Sequence, residues 1–505
     1  MKKKEKESKE RVRSLSPEMQ QFLEREKERT RKNKIKNQPI VFMTYVMVLT
    51  FMALFGYIIY FMFNDADKVV ADSQNKRQDS FDEFIVRGEI LSRDGDQLAY
   101  TDIDDEGHET RVYPYKGLFA HTVGYNNYGR AGLELEYNFE LMRSHVNVME
   151  KVSNDISDDK NPGDKVVTTY SCELTQAAAQ ALGDAKGAVV VMDVDTGDLL
   201  TVYSSPTFDP NDMEKVWADV HSEEGSSSTI FLNRATQGLY APGSTFKVIT
   251  AMEYIREHPD YENYTHTCNG SDIFNSVKIR CSNSNAHGTL DLKGSLARSC
   301  NTSFANIGVN EIKVDKLRSL TEQLLFNGKL PLDTDYSKSS FKLSSESNYS
   351  EIPQTVIGQG DTLITPIHNA LIMQAIANGG VMMKPRYVTE IRSDNDTVIK
   401  SFGTKTYGSV LDADLTKQII PLLEEVCKTG TASEVMSTKP YPVAGKTGTA
   451  EYDNNGNCNS WFVGFSGGDS PDIVVSVIVE DYTNNHISGT SVASQIFDRY
   501  YDMNK

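Results

Sequence analysis

Twenty-four consecutive residues without a charge, Ile40 to Phe63 ("IVFMTYVMVLTFMALFGYIIYFMF"), constrain this chain more than any other feature. As a helix they would extend roughly 36 Å, enough to cross a hydrocarbon core of ~30 Å. The apolar part of a cleaved signal peptide usually runs to about 7–15 residues, so the stretch reads as a retained transmembrane helix. Tyr57 and Tyr60 fall toward one end, where aromatic side chains anchor at the membrane surface. Charge then sets a direction. Residues 1–39 hold 14 Lys/Arg against 7 Asp/Glu, while the whole chain has a formal net charge of −18, leaving −25 for everything after them. A basic flank stays in the cytoplasm, so the rest is expected outside the cell membrane in a single pass. Nothing later is long and apolar enough to return. An acidic exterior also speaks against nucleic acid as a partner, which needs a basic footprint.

The 505 residues suffice for more than one core. Residues 64–80 are polar and read as a juxtamembrane connector, and 81–150 alternate short apolar runs with turns such as Asp94-Gly95. A Ser/Asp/Pro/Gly-rich linker, "SNDISDDKNPGDK", sets the main boundary near Lys160. The expected organisation is a tail (1–39), a membrane helix (40–63), a connector with a small domain (64–160) and a large domain (161–505). In the large domain, "LTQAAAQALGDA" reads as a helix. Two β-rich runs follow, joined by Asp195-Thr196-Gly197. Two more, "SWFVGF" and "DIVVSVIVE", precede the final amphipathic helix "TSVASQIFDRYYDM". An antiparallel sheet covered by helices, the α+β class, is the fold this order predicts.

None of the six cysteines forms a CxxC pair, and the nine histidines contain no HExxH, so no metal ligand and no cofactor is assigned. His287 reads as a structural turn residue. Cys268 and Cys281 bracket a turn-rich stretch and are candidates to pair in an oxidising exterior.

Chemistry is suggested by three short motifs. In "LYAPGSTFKVITAMEYI", Ser244 and Lys247 stand three apart at the start of a helical run. That spacing puts a serine nucleophile and a lysine base on one face, with a helix N-terminus favouring the developing oxyanion. Lys247 must then be neutral part of the time, which burial can achieve. In "ARSCNTSFANIG", Ser299 and Asn301 share a helical turn and can relay a proton and hold a substrate amide. In "VAGKTGTAEY", the cation of Lys446 and the hydroxyls of Thr447 and Thr449 suit a carboxylate. Gly448 would let a ligand backbone approach the strand.

Each motif is weak alone and has decoys. SxxK recurs at Ser73–Lys76 and Ser339–Lys342, both in polar text and both read as solvated loops. Ser393-Asp394-Asn395 reads as a hairpin turn. Gly464–Gly468 spells GxSxG, but a β-run follows where a nucleophile elbow needs a helix. Lys428–Ala432 copies Lys446–Ala450 letter for letter, yet follows the amphipathic run "DLTKQIIPLLEEVCK". There Gly430 is expected to cap a helix, and Lys428 to complement its negative end.

SxxK, SxN and KTG in that order resemble the signature of penicillin-binding proteins and class A β-lactamases. "RGEILSRDGDQLA", "GRAGLELEYNFEL", "TGDLLTVYSSPTFDPN" and "IGQGDTLITPIHNALIMQAIANGG" extend the resemblance to class B penicillin-binding proteins, from about Arg87 to the C-terminus. The resemblance implies a five-stranded antiparallel sheet between helical layers, a small N-terminal pedestal and a peptidoglycan D,D-transpeptidase activity blocked by β-lactams. It assigns Ser244 as the acylated nucleophile, Lys247 as its base, Ser299 as proton relay and Asn301 as amide holder. Lys446, Thr447 and Thr449 receive the substrate carboxylate, and the backbone amides of Ser244 and Thr449 form an oxyanion hole. The middle residue of SxN, Cys300, is read as packing. Peptidoglycan stem peptides, β-lactams and a polytopic membrane glycosyltransferase of the shape, elongation, division and sporulation group are the implied partners. Glu322 has the wrong spacing for the deacylating Glu of a β-lactamase. A β-lactam sensor, a D,D-carboxypeptidase and an idle cell-wall scaffold are the alternatives.

Overall fold

The computed structural model describes residues 13–64, 83–222, 228–453 and 455–504. The connector expected at 64–80, including Ser73 and Lys76, lies outside them apart from Asn64. One helix, α1 (Pro17–Asn64), runs through both the basic tail and the apolar stretch. Large apolar side chains between Ile40 and Met62 are exposed on all its sides, as a segment solvated by lipid requires. The helix belongs to a unit of its own, residues 1–75.

In the second unit, the centre is a five-stranded antiparallel sheet of β1 (Gly187–Asp193), β2 (Leu199–Ser205), β3 (Val443–Glu451), β4 (Cys458–Ser466) and β5 (Ile473–Val479). Its order is β3-β4-β5-β1-β2. The strands nearest the middle are apolar at successive positions rather than alternating, since helices cover both faces. All seven residues of β5 are buried, at roughly 1.5–3 kcal/mol of hydrophobic stabilisation for each Val or Ile.

One face takes α6 (Pro366–Ala377), in which every residue is buried; it packs on β1, β4 and β5. Thr365 caps it by accepting from the His368 amide, and Pro366 fills the first turn. The other face takes α2 (Cys172–Leu182) and α8 (Gly489–Met503), which pack on each other. Four further helices carry or support the motifs: α3 (Lys247–Glu257), α4 (Leu292–Ala297), α5 (Asn301–Asn306) and α7 (Ala413–Lys428). The α+β class and five-stranded sheet expected above are those observed.

A six-stranded sheet lies N-terminal to this core. Its strands, in order, are Val398–Ser401, Val388–Arg392, Lys165–Thr168, Ile90–Leu91, Gln97–Ile103 and Glu109–Val112. Two of the six come from the hairpin that follows α6, so the small domain is completed by a distant stretch of sequence. The family-like segments around Arg87 and Glu134 meet inside it. Glu134 is fully buried and accepts from Arg87 Nε at 2.6 Å and Arg111 Nε at 2.7 Å.

Candidate active site

Ser244 stands on a turn that two glycines press against β3. Gly243 has φ +52°, and a Cβ there would lie 2.6 Å from the Thr449 carbonyl oxygen. A Cβ on Gly448 would lie 2.9 Å from Trp461 Cβ and 3.0 Å from Thr245 Cγ2. The sequence suggested that Gly448 leaves room for a ligand; the structure shows that the Ser244 turn and Trp461 take that room. Trp461 Nε1 adds a hydrogen bond to the Ala241 carbonyl at 3.0 Å. From Gly243 to Phe246 the backbone is a 3-10 turn that runs directly into α3. Ser244 therefore opens the helical segment, and Lys247 follows one turn later on the same face.

The Lys247 ammonium nitrogen meets four oxygens. It donates to the Ser299 carbonyl at 2.8 Å and to Asn301 Oδ1 at 2.5 Å, and lies 3.1 Å from Ser244 Oγ and 3.2 Å from Ser299 Oγ. The first two are acceptors only, so they engage two N–H groups whatever the charge. The other two are hydroxyls and can also donate. A neutral amine keeps two N–H donors and one lone pair, and this contact set has a place for each. Asn301 is oriented by donating through Nδ2 to the Arg280 carbonyl at 2.7 Å. Ser299 adopts φ +52°, a left-handed conformation uncommon for a residue with a side chain. In that conformation both its carbonyl and its hydroxyl contact Lys247.

Burial pushes the Lys247 ammonium down to about 8, against the opposing influence of the nearby Cys300 and Cys281 sulfurs. Lys446, also fully buried, is pushed well below the usual lysine range, first by burial and then by repulsion from Lys247. Two cations so close in a dry site favour keeping at least one neutral. Lys446 donates to the Thr447 carbonyl at 2.9 Å, and Thr449, paired with Ser460 across the sheet, is exposed. As an edge strand, β3 has backbone groups that no neighbouring strand uses. A serine held against a buried lysine, beside a hydroxyl, an amide and an open strand edge, is the arrangement that a Ser–Lys nucleophile of the acyl-transfer type requires.

The copied motif has its own place. Lys428 ends α7 exposed and pairs with Glu424 at 2.8 Å. Gly430 follows the C-cap residue Thr429 but is not a left-handed cap, because positive φ does not occur at 430. Its need for glycine is a close approach: a Cβ would sit 2.3 Å from the Ala297 carbonyl, two residues before Ser299. Thr431 Oγ1 in turn lies 2.5 Å from Thr447 Oγ1, so the copy buttresses the motif it duplicates. Ser339 also departs from expectation. It is buried, 2.7 Å from His368 Nδ1, whereas Lys342 is an exposed partner of Asp361. Ser393 bonds Asn395 in the hairpin turn before Val398, and Glu322 pairs on a helix surface with Arg318.

The cysteines behave differently from the expected pair. All six are thiols. Cys268 Sγ lies 3.6 Å from Cys281 Sγ, but Cys281 Sγ also lies 3.8 Å from Cys300 Sγ, and His287 Nδ1 is 3.4 Å from Cys268 Sγ. No spacing rule applied to the sequence joined these four residues. Strand pairing joins two of them: Cys268 ends a strand, and Gly288, next to His287, is registered opposite it.

Comparison with known proteins agrees with this geometry. The family described as "Penicillin binding protein transpeptidase domain" matches residues 187–502, and "Penicillin binding protein A dimerisation domain" matches 87–166. The peptidoglycan D,D-transpeptidase PbpA of Mycolicibacterium smegmatis is 26% identical over 443 residues, covering 82% of this chain and 88% of its own. A solved D,D-transpeptidase domain of a peptidoglycan glycosyltransferase from Eggerthella lenta superposes with TM-score 0.73 at 28% identity, covering 83% of this chain and 98% of the other. Penicillin-binding protein A from M. tuberculosis, solved as a penicillin G acyl-enzyme, gives 0.71 at 25% identity, covering 83% and 99%. The chain belongs to the penicillin-binding protein transpeptidase family, as a class B member.

Proposed function

We propose that this chain is a membrane-anchored D,D-transpeptidase that cross-links peptidoglycan stem peptides through a serine acyl-enzyme. The observation that carries the reading is the contact set of Lys247, which accommodates a neutral amine next to Ser244. In this reading Ser244 Oγ attacks the carbonyl between the two terminal D-alanines and passes its proton to Lys247 Nζ. The backbone amides of Ser244 and Thr449 hold the oxyanion, and Ser299 relays the proton to the departing D-alanine. An acceptor amine on a neighbouring stem then attacks the ester and restores Ser244. Lys446, Thr447 and Thr449 receive the terminal carboxylate, and Asn301 positions the amide. The open edge of β3 suits a peptide laid alongside it as an added strand. A β-lactam acylates the same serine, but its leaving amine stays tethered.

The basic tail supports a cytoplasmic N-terminus, with α1 crossing the membrane and the catalytic domain outside. A polytopic glycosyltransferase that polymerises the glycan is the partner this arrangement suits, and residues 64–160 supply a juxtamembrane connector and the pedestal domain. A fluorescent penicillin tests the first step: the wild type labels covalently and Ser244→Ala does not. Undiminished labelling of that variant moves the nucleophile elsewhere. Cross-linking of lipid-linked precursor, with such a polymerase supplied, tests the second step.

A further inference from the structure

Residues 266–301 form a segment of short strands and one helix whose Phe274, Ile279, Leu292 and Leu296 pack into the main core. Strands His266–Cys268 and Gly288–Leu290 pair, and the hairpin of Ser271–Phe274 and Val277–Arg280 extends between them. A second cluster, separate from that core, comprises Cys268, Cys281, Cys300 and Leu290. Three of its four members are sulfurs, a composition that suits a metal site better than apolar packing.

The sulfurs and the His287 imidazole are spaced as ligands of one ion. Sγ of Cys268, Cys281 and Cys300 and a ring nitrogen of His287 all lie within 4.8 Å of one another. Tetrahedral Zn²⁺, with Zn–S near 2.3 Å and Zn–N near 2.05 Å, separates neighbouring sulfurs by about 3.8 Å and a sulfur and nitrogen by about 3.6 Å. Three of the six pairs lie at 3.6 and 3.8 Å between sulfurs and 3.4 Å from sulfur to nitrogen, and the others lie within 4.8 Å. Outer contacts fit as well. The Gly270 amide donates to Cys268 Sγ at 3.4 Å, and Thr302 Oγ1 lies 3.4 Å from Cys300 Sγ, where N–H and O–H groups support metal-bound thiolates.

We propose that Cys268, Cys281, His287 and Cys300 bind a structural zinc ion that fastens the Ser299–Asn301 turn of the active site. Cys300 lies between Ser299 and Asn301. Cys281 follows Arg280, whose carbonyl orients the Asn301 amide. One ion therefore ties together both ends of the hydrogen bond that aims Asn301 at Lys247. The three thiols release their protons to solvent on binding, and the closed four-ligand shell leaves zinc no open position for catalysis.

Metal analysis of the full-length chain, purified in detergent under reducing conditions, tests the site. Wild type and Ser244→Ala are each expected to hold about one zinc per chain, and Cys268→Ser/Cys281→Ser below about a tenth of that. Cobalt reconstituted into the wild type is expected to give the intense visible bands of a tetrahedral thiolate site, a readout that needs no folded variant. Chelation is expected to slow penicillin acylation of the wild type by about 10–100-fold, with zinc restoring it. The inference is overturned if the reduced wild type takes up neither zinc nor cobalt, if the double variant keeps a full equivalent, or if Cys268 and Cys281 form a disulfide without metal. It stands apart from the transpeptidase reading: full zinc with no acylation at all counts against that reading alone.

Discussion

The side chain of Lys446 is buried in β3, while that of Lys428 lies 61% exposed against Glu424. An exposed pair four residues apart on a helix contributes only about 0.3–0.5 kcal/mol. Lys428→Ala is therefore expected to leave penicillin acylation within about twofold of wild type, whereas Lys446→Ala nearly abolishes it. Stopped-flow acylation of both variants measures the contrast, and equal losses would contradict the assignment. Lys247 yields a pH prediction. Burial disfavours its ammonium, so the neutral base accumulates from about pH 8 upward. Acylation is expected to rise with pH through that value and to fall about tenfold per unit on its acid side. A rate flat across that range would mean that Lys247 is not the base. The residue types at these positions were legible in the sequence. Their protonation was not, because it depends on burial by segments far apart in the chain.

Helices and strands give the motifs their separate meanings. The amphipathic run before Lys428 becomes α7, and the extended run before Lys446 becomes β3. Periodicity alone distinguishes the two. What periodicity misses is that α7 delivers its final turn against the segment that leads into Ser299. Gly430→Ala puts a methyl group 2.3 Å from the Ala297 carbonyl, and overpacking of this kind costs about 1–3 kcal/mol. A lowered urea midpoint together with slower acylation is the expected outcome, and a variant unchanged in both would show that the turn yields freely. The roles of Gly243 and Gly448 are hidden in the sequence for the same reason: each is dictated by an atom of another element.

At the scale of the whole molecule, the small domain is held by a buried charge cluster. Glu134 pairs with both Arg87 and Arg111 in a buried site, and Tyr113 donates to it at 3.2 Å. Glu134→Ala leaves two guanidinium groups uncompensated, with an expected loss of about 3–5 kcal/mol, measurable by denaturant unfolding of the domain. A change below about 1 kcal/mol would place the stability of the domain in its sheet instead. Two strands of that sheet come from residues 388–401, more than two hundred positions after Lys165. No linker composition announces such an exchange.

The amino-acid sequence alone determined the uncharged stretch long enough to span a membrane, the fold class, the order of the three motifs and which KTG copy lies on a strand. Each of these depends on local spacing, composition or periodicity, which are properties of neighbouring residues. Only the tertiary structure decided that Lys247 meets Ser244, Ser299 and Asn301 at once, that Gly430 serves the motif it imitates, and that three cysteines and a histidine converge behind Asn301. Contacts between residues distant in the chain are set by how sheets and helices pack, and a linear text carries no distance between them.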